Sequence, residues 1–160
     1  MRLSMDRRTL LKAFLASALL GPFGLRAAAA SSRQEYSGLD NLAAFQTALA
    51  AQSADAVVMN VFHATWCGPC KVLFAQMDEI RRQPGVNIQV LGVDIDQYPN
   101  IAKASLPVVA TPQSSFYIYG QPQAYKFSGP IRNVPEMTRY LRELTRAVHG
   151  DQPGGHQPSP

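Results

Sequence analysis

The 160-residue sequence predicts an α/β fold with a central mixed sheet and helices on both faces, on three observations. Apolar runs of strand length alternate with segments whose apolar residues recur at helical spacing, in the order α-β-α-β-α-β-β-α. The first two strand runs, 56–62 and 86–93, are mostly apolar throughout, as expected of strands covered on both faces. A helical segment separates them, which makes them parallel through a crossover. The last two strands are separated only by Gly120-Gln121-Pro122-Gln123, the signature of an antiparallel hairpin.

Taken in order, residues 31–38 are polar and read as a flexible lead-in. Leu42, Ala43, Phe45, Ala48 and Leu49 place a first helix over 39–52, which Ser53-Ala54-Asp55 breaks. After strand 56–62, a second helix starts near Cys67, with Val72, Leu73, Met77 and Ile80 on one side, and Pro84-Gly85 stops it. Strand 86–93 leads through Asp94-Ile95-Asp96 to a short helical piece at 100–105. Strands 115–119 and 124–127 follow Thr111-Pro112. A last helix over 135–148 carries Met137, Tyr140, Leu141, Leu144 and Val148 on one face. Residues 150–160 are rich in Pro, Gly and Gln and read as a disordered tail, leaving 39–149 as one domain.

Residues 1–30 stand apart. A basic start, an apolar stretch and the exit Ala27-Ala28-Ala29-Ala30 follow one another in the order of an export signal, cleaved after Ala29 or Ala30. Asp6-Arg7-Arg8-Thr9-Leu10-Leu11-Lys12 resembles the twin-arginine export motif, which implies Arg7 and Arg8 as its signal residues, the twin-arginine export machinery as a partner and a periplasmic destination. The apolar stretch 13–25 has 13 residues, short of the roughly 20 that span a bilayer. A lipid anchor at the junction would need a cysteine, and the first one is Cys67.

The net charge of +4 belongs to this leader. Five of the 15 basic and one of the 11 acidic residues fall in 1–30, which leaves ten of each in 31–160. A body neutral by count argues against nucleic acid as a partner.

The chemistry concentrates in Trp66-Cys67-Gly68-Pro69-Cys70, where a strand meets a helix. A helix N-terminus presents unpaired N–H groups and partial positive charge, which stabilise a thiolate on Cys67, the nucleophilic form of the side chain. Pro69 suits the first helical turn, where its missing N–H is not needed. The two intervening residues let Cys70 close a small disulfide ring with Cys67 while lying more covered, so that Cys67 can attack a disulfide and Cys70 can resolve the product. Zinc needs about four ligands, but the two cysteines stand alone and the three histidines are at 63, 149 and 156. Covalent haem would need a histidine where Lys71 stands. A purely structural disulfide stays open, although so short a ring constrains little chain.

The segment Phe62-His63-Ala64-Thr65-Trp66-Cys67-Gly68-Pro69-Cys70-Lys71 resembles the active-site segment of thioredoxins. Val93-Asp94-Ile95-Asp96-Gln97-Tyr98-Pro99 resembles the family's third-strand exit, and Val108-Val109-Ala110-Thr111-Pro112 the segment that carries its cis-proline. The resemblance covers about 39–148 and implies a thioredoxin fold, with Cys67 and Cys70 catalytic and no cofactor. It also implies that Pro112 is cis against the dithiol, that Thr111 pairs with an extended substrate, and that Trp66, Gly68, Pro69 and Gly129 line the surface around the sulfurs. The implied function is a periplasmic thiol–disulfide oxidoreductase. It would act as a monomer, mainly as a reductant of protein disulfides, and be recharged by a membrane-bound electron donor. A disulfide-forming oxidant or isomerase is the second reading, and a thioredoxin-fold binding module or chaperone the third.

The sequence departs from the family pattern at two positions. Val61 stands where thioredoxins usually bury an aspartate, and Gly92 where they place the accompanying lysine. His63 is the one imidazole near the motif, and either packing or titration could be its role.

Overall fold

The computed structural model describes residues 33–105 and 110–149. Its sheet has five strands, β1 (Gln34–Glu35), β2 (Val57–His63), β3 (Ile88–Asp94), β4 (Gln113–Ile118) and β5 (Gln121–Ser128), in the spatial order β1-β3-β2-β4-β5. β1 and β2 run parallel to β3, whereas β4 is antiparallel to β2 and β5 to β4. Four helices complete the described fold: α1 (Leu42–Gln52), α2 (Gly68–Arg81), α3 (Pro99–Ser105) and α4 (Val134–His149). The mixed sheet and the alternation of elements agree with the expectation.

The whole of β2 is buried because it has a strand on either side and helices on both faces. Side chains alternate across a strand. Val57, Met59 and Val61 therefore join Leu73 and Met77 of α2 and Leu141 of α4, while Val58 and Phe62 join Phe45 and Leu49 of α1 and Ile101 of α3. Each such side chain contributes about 1.5–3 kcal/mol of transfer free energy. The helices begin at side-chain caps. Asn41 Oδ1 accepts the N–H groups of Ala43 and Ala44 at 2.9 and 3.2 Å. Asn133 Oδ1 accepts the N–H of Glu136 at 3.1 Å, and Glu136 accepts in return from Asn133 Nδ2.

Two expectations need correction. The lead-in read as flexible over 31–38 contains β1, which pairs Gln34 with Leu91 and Glu35 with Gly92 along the outer edge of β3. Tyr36 follows it into the core, with its ring edge-on to Phe45 and Tyr98 at centroid distances of 5.3 and 4.9 Å. The pairing covers backbone groups that β3 would otherwise leave open. The hairpin turn is also tighter than the four residues expected. Ile118 pairs with Gln121, so the loop is Tyr119-Gly120, with φ of +50° and +72°. Two positive φ values in a two-residue loop match the twist of the flanking strands. Tyr119 is held there by its hydroxyl, which donates to the carbonyl of Ala147 in α4 at 2.8 Å. The early turn ends β4 at Ile118 and lets β5 begin at Gln121, and Pro122 is tolerated because β5 lies at the sheet edge. The leader at 1–30, with Arg7, Arg8 and the Ala29/Ala30 junction, and the tail at 150–160 lie outside the described residues.

Candidate active site

β2 delivers the chain to the dithiol. From buried His63 it passes through Ala64, Thr65 and Trp66 to Cys67, the N-cap of α2. Cys67 has extended backbone angles (φ −78°, ψ 105°), and its Sγ accepts the N–H of Cys70 at 3.2 Å. The sulfur thus occupies the position in which serine or aspartate usually caps a helix, and Pro69 lies in the first turn as expected. Negative charge on Cys67 is therefore stabilised by a helix N–H already aimed at it.

In this structure the two cysteines are joined, with an S–S distance of 2.06 Å and Cα atoms 5.3 Å apart. Ala64, Phe74 and Ile95 pack around the pair. Residue exposure separates the two cysteines only slightly, at 3% for Cys67 and 1% for Cys70. The stronger asymmetry is positional: Cys67 caps the helix, whereas Cys70 lies inside its first turn.

The other expected residues fall into two groups. Trp66, Gly68 and Pro69 are exposed beside the ring. Trp66 is 67% exposed and is steadied by an Nε1–H bond to Asp96 Oδ2 at 2.7 Å. Thr111, Pro112 and Gly129 meet at the start of β4. The Thr111–Pro112 bond is cis, and the Pro112 carbonyl accepts the Gly129 N–H at 2.9 Å. Gly129 has a φ of +83°, which a residue with a side chain rarely adopts. Because Phe62 pairs with Gln113, Pro112 lies level with His63, at the end of β2 from which the dithiol loop departs.

Sequence reasoning missed Glu35. Its Oε2 lies 2.8 Å from His63 Nε2, and its other carboxylate oxygen meets Arg33 Nε at 2.6 Å. The guanidinium of Arg33 lies 4.2 Å from the centroid of the Phe74 ring, which also meets the His63 ring edge-on at 5.3 Å. The one available signal was Gly92, a residue without a side chain in a buried strand. The role of Asp96 in holding Trp66 was likewise unforeseen.

Among the described residues no group of three or more His, Cys, Asp or Glu could hold a metal ion. A groove of about 720 Å³ runs between β5 and α4, lined by Tyr125, Phe127, Met137 and Tyr140 among others, and neither cysteine lines it. A Cβ on Gly68 would meet nothing within 4 Å, so the surface beside the ring is open. An unobstructed surface beside the ring suits exchange with a disulfide carried by another molecule.

A five-stranded mixed sheet with a Cys-Gly-Pro-Cys ring capping the helix after its central strand defines a thiol–disulfide oxidoreductase domain. The chain belongs to the thioredoxin family, whose model matches residues 39–143. Among its relatives, rat (Rattus norvegicus) thioredoxin is 36% identical over 100 residues, spanning 62% of this chain and 91% of that protein. The chloroplastic thioredoxin Y of rice (Oryza sativa subsp. japonica) is 30% identical over 119 residues, 68% of this chain and 65% of that protein. Among solved structures, the oxidised mitochondrial thioredoxin 3 of Saccharomyces cerevisiae superposes with a TM-score of 0.52 at 25% identity, covering 72% of this chain and 98% of that one.

Proposed function

We propose that this protein is an exported reductant of protein disulfides that works in the periplasm. The observation that carries the reductive direction is the ring itself. Gly68-Pro69 places no histidine between the cysteines, so helix-end stabilisation acts on the Cys67 thiolate without an adjacent imidazole in the ring. Thioredoxin lies near −270 mV, whereas a strong periplasmic oxidant with a highly stabilised thiolate lies near −120 mV (about, in both cases). Equilibration with glutathione, followed by Trp66 fluorescence, should give a potential below roughly −200 mV. A value near −120 mV would make the protein an oxidant instead.

In this reading an extended segment of a client protein pairs with the backbone of Thr111 and lies against Trp66, Gly68, Pro69, Pro112 and Gly129. Cys67 attacks its disulfide, Cys70 releases it, and a membrane-bound donor restores the dithiol. Cys70→Ser should hold clients as mixed disulfides that a reducing gel separates. Export rests on the order of residues in 1–30. Arg7→Lys combined with Arg8→Lys should leave the precursor uncleaved in the cytoplasm, as seen by fractionation. Normal periplasmic recovery of that double variant would remove the twin-arginine route.

A further inference from the structure

We propose that Glu35 and His63 form a charge switch that couples the reactivity of Cys67 to pH. The proposal rests on thiol–disulfide exchange at Cys67 and Cys70, and on neither export nor the direction of electron flow.

The exchange chemistry is governed by charge. Cys67 must be a thiolate to attack a disulfide R–S–S–R′, forming Cys67–S–S–R and expelling R′–S⁻. Cys70 must then lose its proton, and its thiolate attacks the Cys67 sulfur, closing the ring and expelling R–S⁻. The two expelled thiolates take up protons. Two electrons have passed from the dithiol to the substrate. A nearby group that changes charge within the working pH range biases both thiolates. Val61 and Gly92, on the face of the sheet that carries α2, supply no such group.

Glu35 and His63 do supply one. Glu35 crosses from β1 over Gly92, where a Cβ would fall 2.5 Å from its Oε2, so the absence of a side chain at 92 gives the carboxylate its place. From there it reaches His63 Nε2 at 2.8 Å, on a residue only 6% exposed. A carboxylate partner fixes the proton on Nε2 and leaves Nδ1 to gain or lose one. The Phe74 ring meets the imidazole edge-on and also packs against the cluster of Ala64, Cys67 and Cys70, so one side chain is shared between the switch and the dithiol cluster.

The groups facing His63 can be named element by element. β1 brings Glu35, with Arg33 paired to it; β3 brings Asp94, its register partner, whose Oδ1 accepts the Asp96 N–H at 2.9 Å; α2 brings the uncharged Phe74. With Arg33 positive and both carboxylates ionised, the cluster is neutral with imidazolium and singly negative with imidazole. Rising pH therefore adds negative charge beside the sulfurs and opposes the thiolate. By reciprocity, a thiolate at Cys67 holds the imidazolium in place. His63 acts through this field and is a positioning residue, not a catalytic one.

The test is the pH profile of Cys67 alkylation by iodoacetamide in the reduced protein. Wild type should show two inflections, and His63→Phe only one. Gly92→Ala keeps both titrating groups but pushes the half-exposed Glu35 carboxylate off its seat. It should shift the inflection that His63→Phe removes, as Glu35→Gln should. A single inflection in wild type, or a profile left unshifted by Gly92→Ala and Glu35→Gln, would overturn the switch. Insulin reduction measured alongside reports separately on the dithiol chemistry.

Discussion

Cys67→Ser should reduce insulin at the background rate and keep the fold, while Cys70→Ser should still react once and stop at the mixed disulfide. The reason lies at the start of α2. The Cys67 sulfur already accepts the Cys70 N–H at 3.2 Å and caps the helix, so charge on it is stabilised before any substrate arrives. Serine keeps the cap but is a far poorer nucleophile, so activity is lost without a comparable loss of stability. In the reduced wild type, iodoacetamide at neutral pH should modify Cys67 well before Cys70, because only Cys67 occupies the cap. Equal labelling, read by peptide mass spectrometry, would show that the helix end confers no selectivity and would favour a binding role for the domain.

Phe116→Ala should destabilise the domain by about 3–5 kcal/mol, the range for removing a large aromatic from a packed core. Phe116 lies on β4 with no exposed surface and meets Tyr125, Phe127 and Tyr140 at centroid distances of 6.1, 6.3 and 5.4 Å. It therefore joins the hairpin to α4. Total stabilities of small proteins run to about 5–15 kcal/mol, so this one change should remove a large share. Thermal melting followed by circular dichroism should show a fall on the order of 10 °C or more. Truncating Tyr125, which is 47% exposed, should have a much smaller effect. A loss below about 1 kcal/mol for Phe116→Ala would mean that the hairpin does not depend on this packing.

The elements most legible in the sequence are those whose cause is local. The face of α4 follows from Met137, Leu141, Leu144 and Val148, which return every three or four residues. The apolar runs of β2 and β3 follow from burial on both faces, and the start of α2 from a cysteine, a glycine and a proline in one turn. The hairpin was legible as a hairpin, but not its register. Tyr119 at φ +50° is an uncommon turn residue, and its hydroxyl bond to Ala147 holds it from the far side of the chain.

What the sequence by itself determined was the dithiol, its place at a helix N-terminus and the α/β order around it, because each depends on residues within a few positions of one another. The tertiary structure alone decided the surroundings. A two-residue strand has no periodicity to read, so β1 exists only because β3 has an edge to pair. Once β1 is there, Glu35 meets His63 across 28 positions of sequence, Trp66 leans on Asp96 across 30, and the Gly129 N–H finds the Pro112 carbonyl. Each of these contacts joins residues whose types are ordinary where they stand in the chain. Their meaning comes from the sheet, which brings separate segments to the same end of β2 and gives partly buried polar groups partners that the local sequence does not supply.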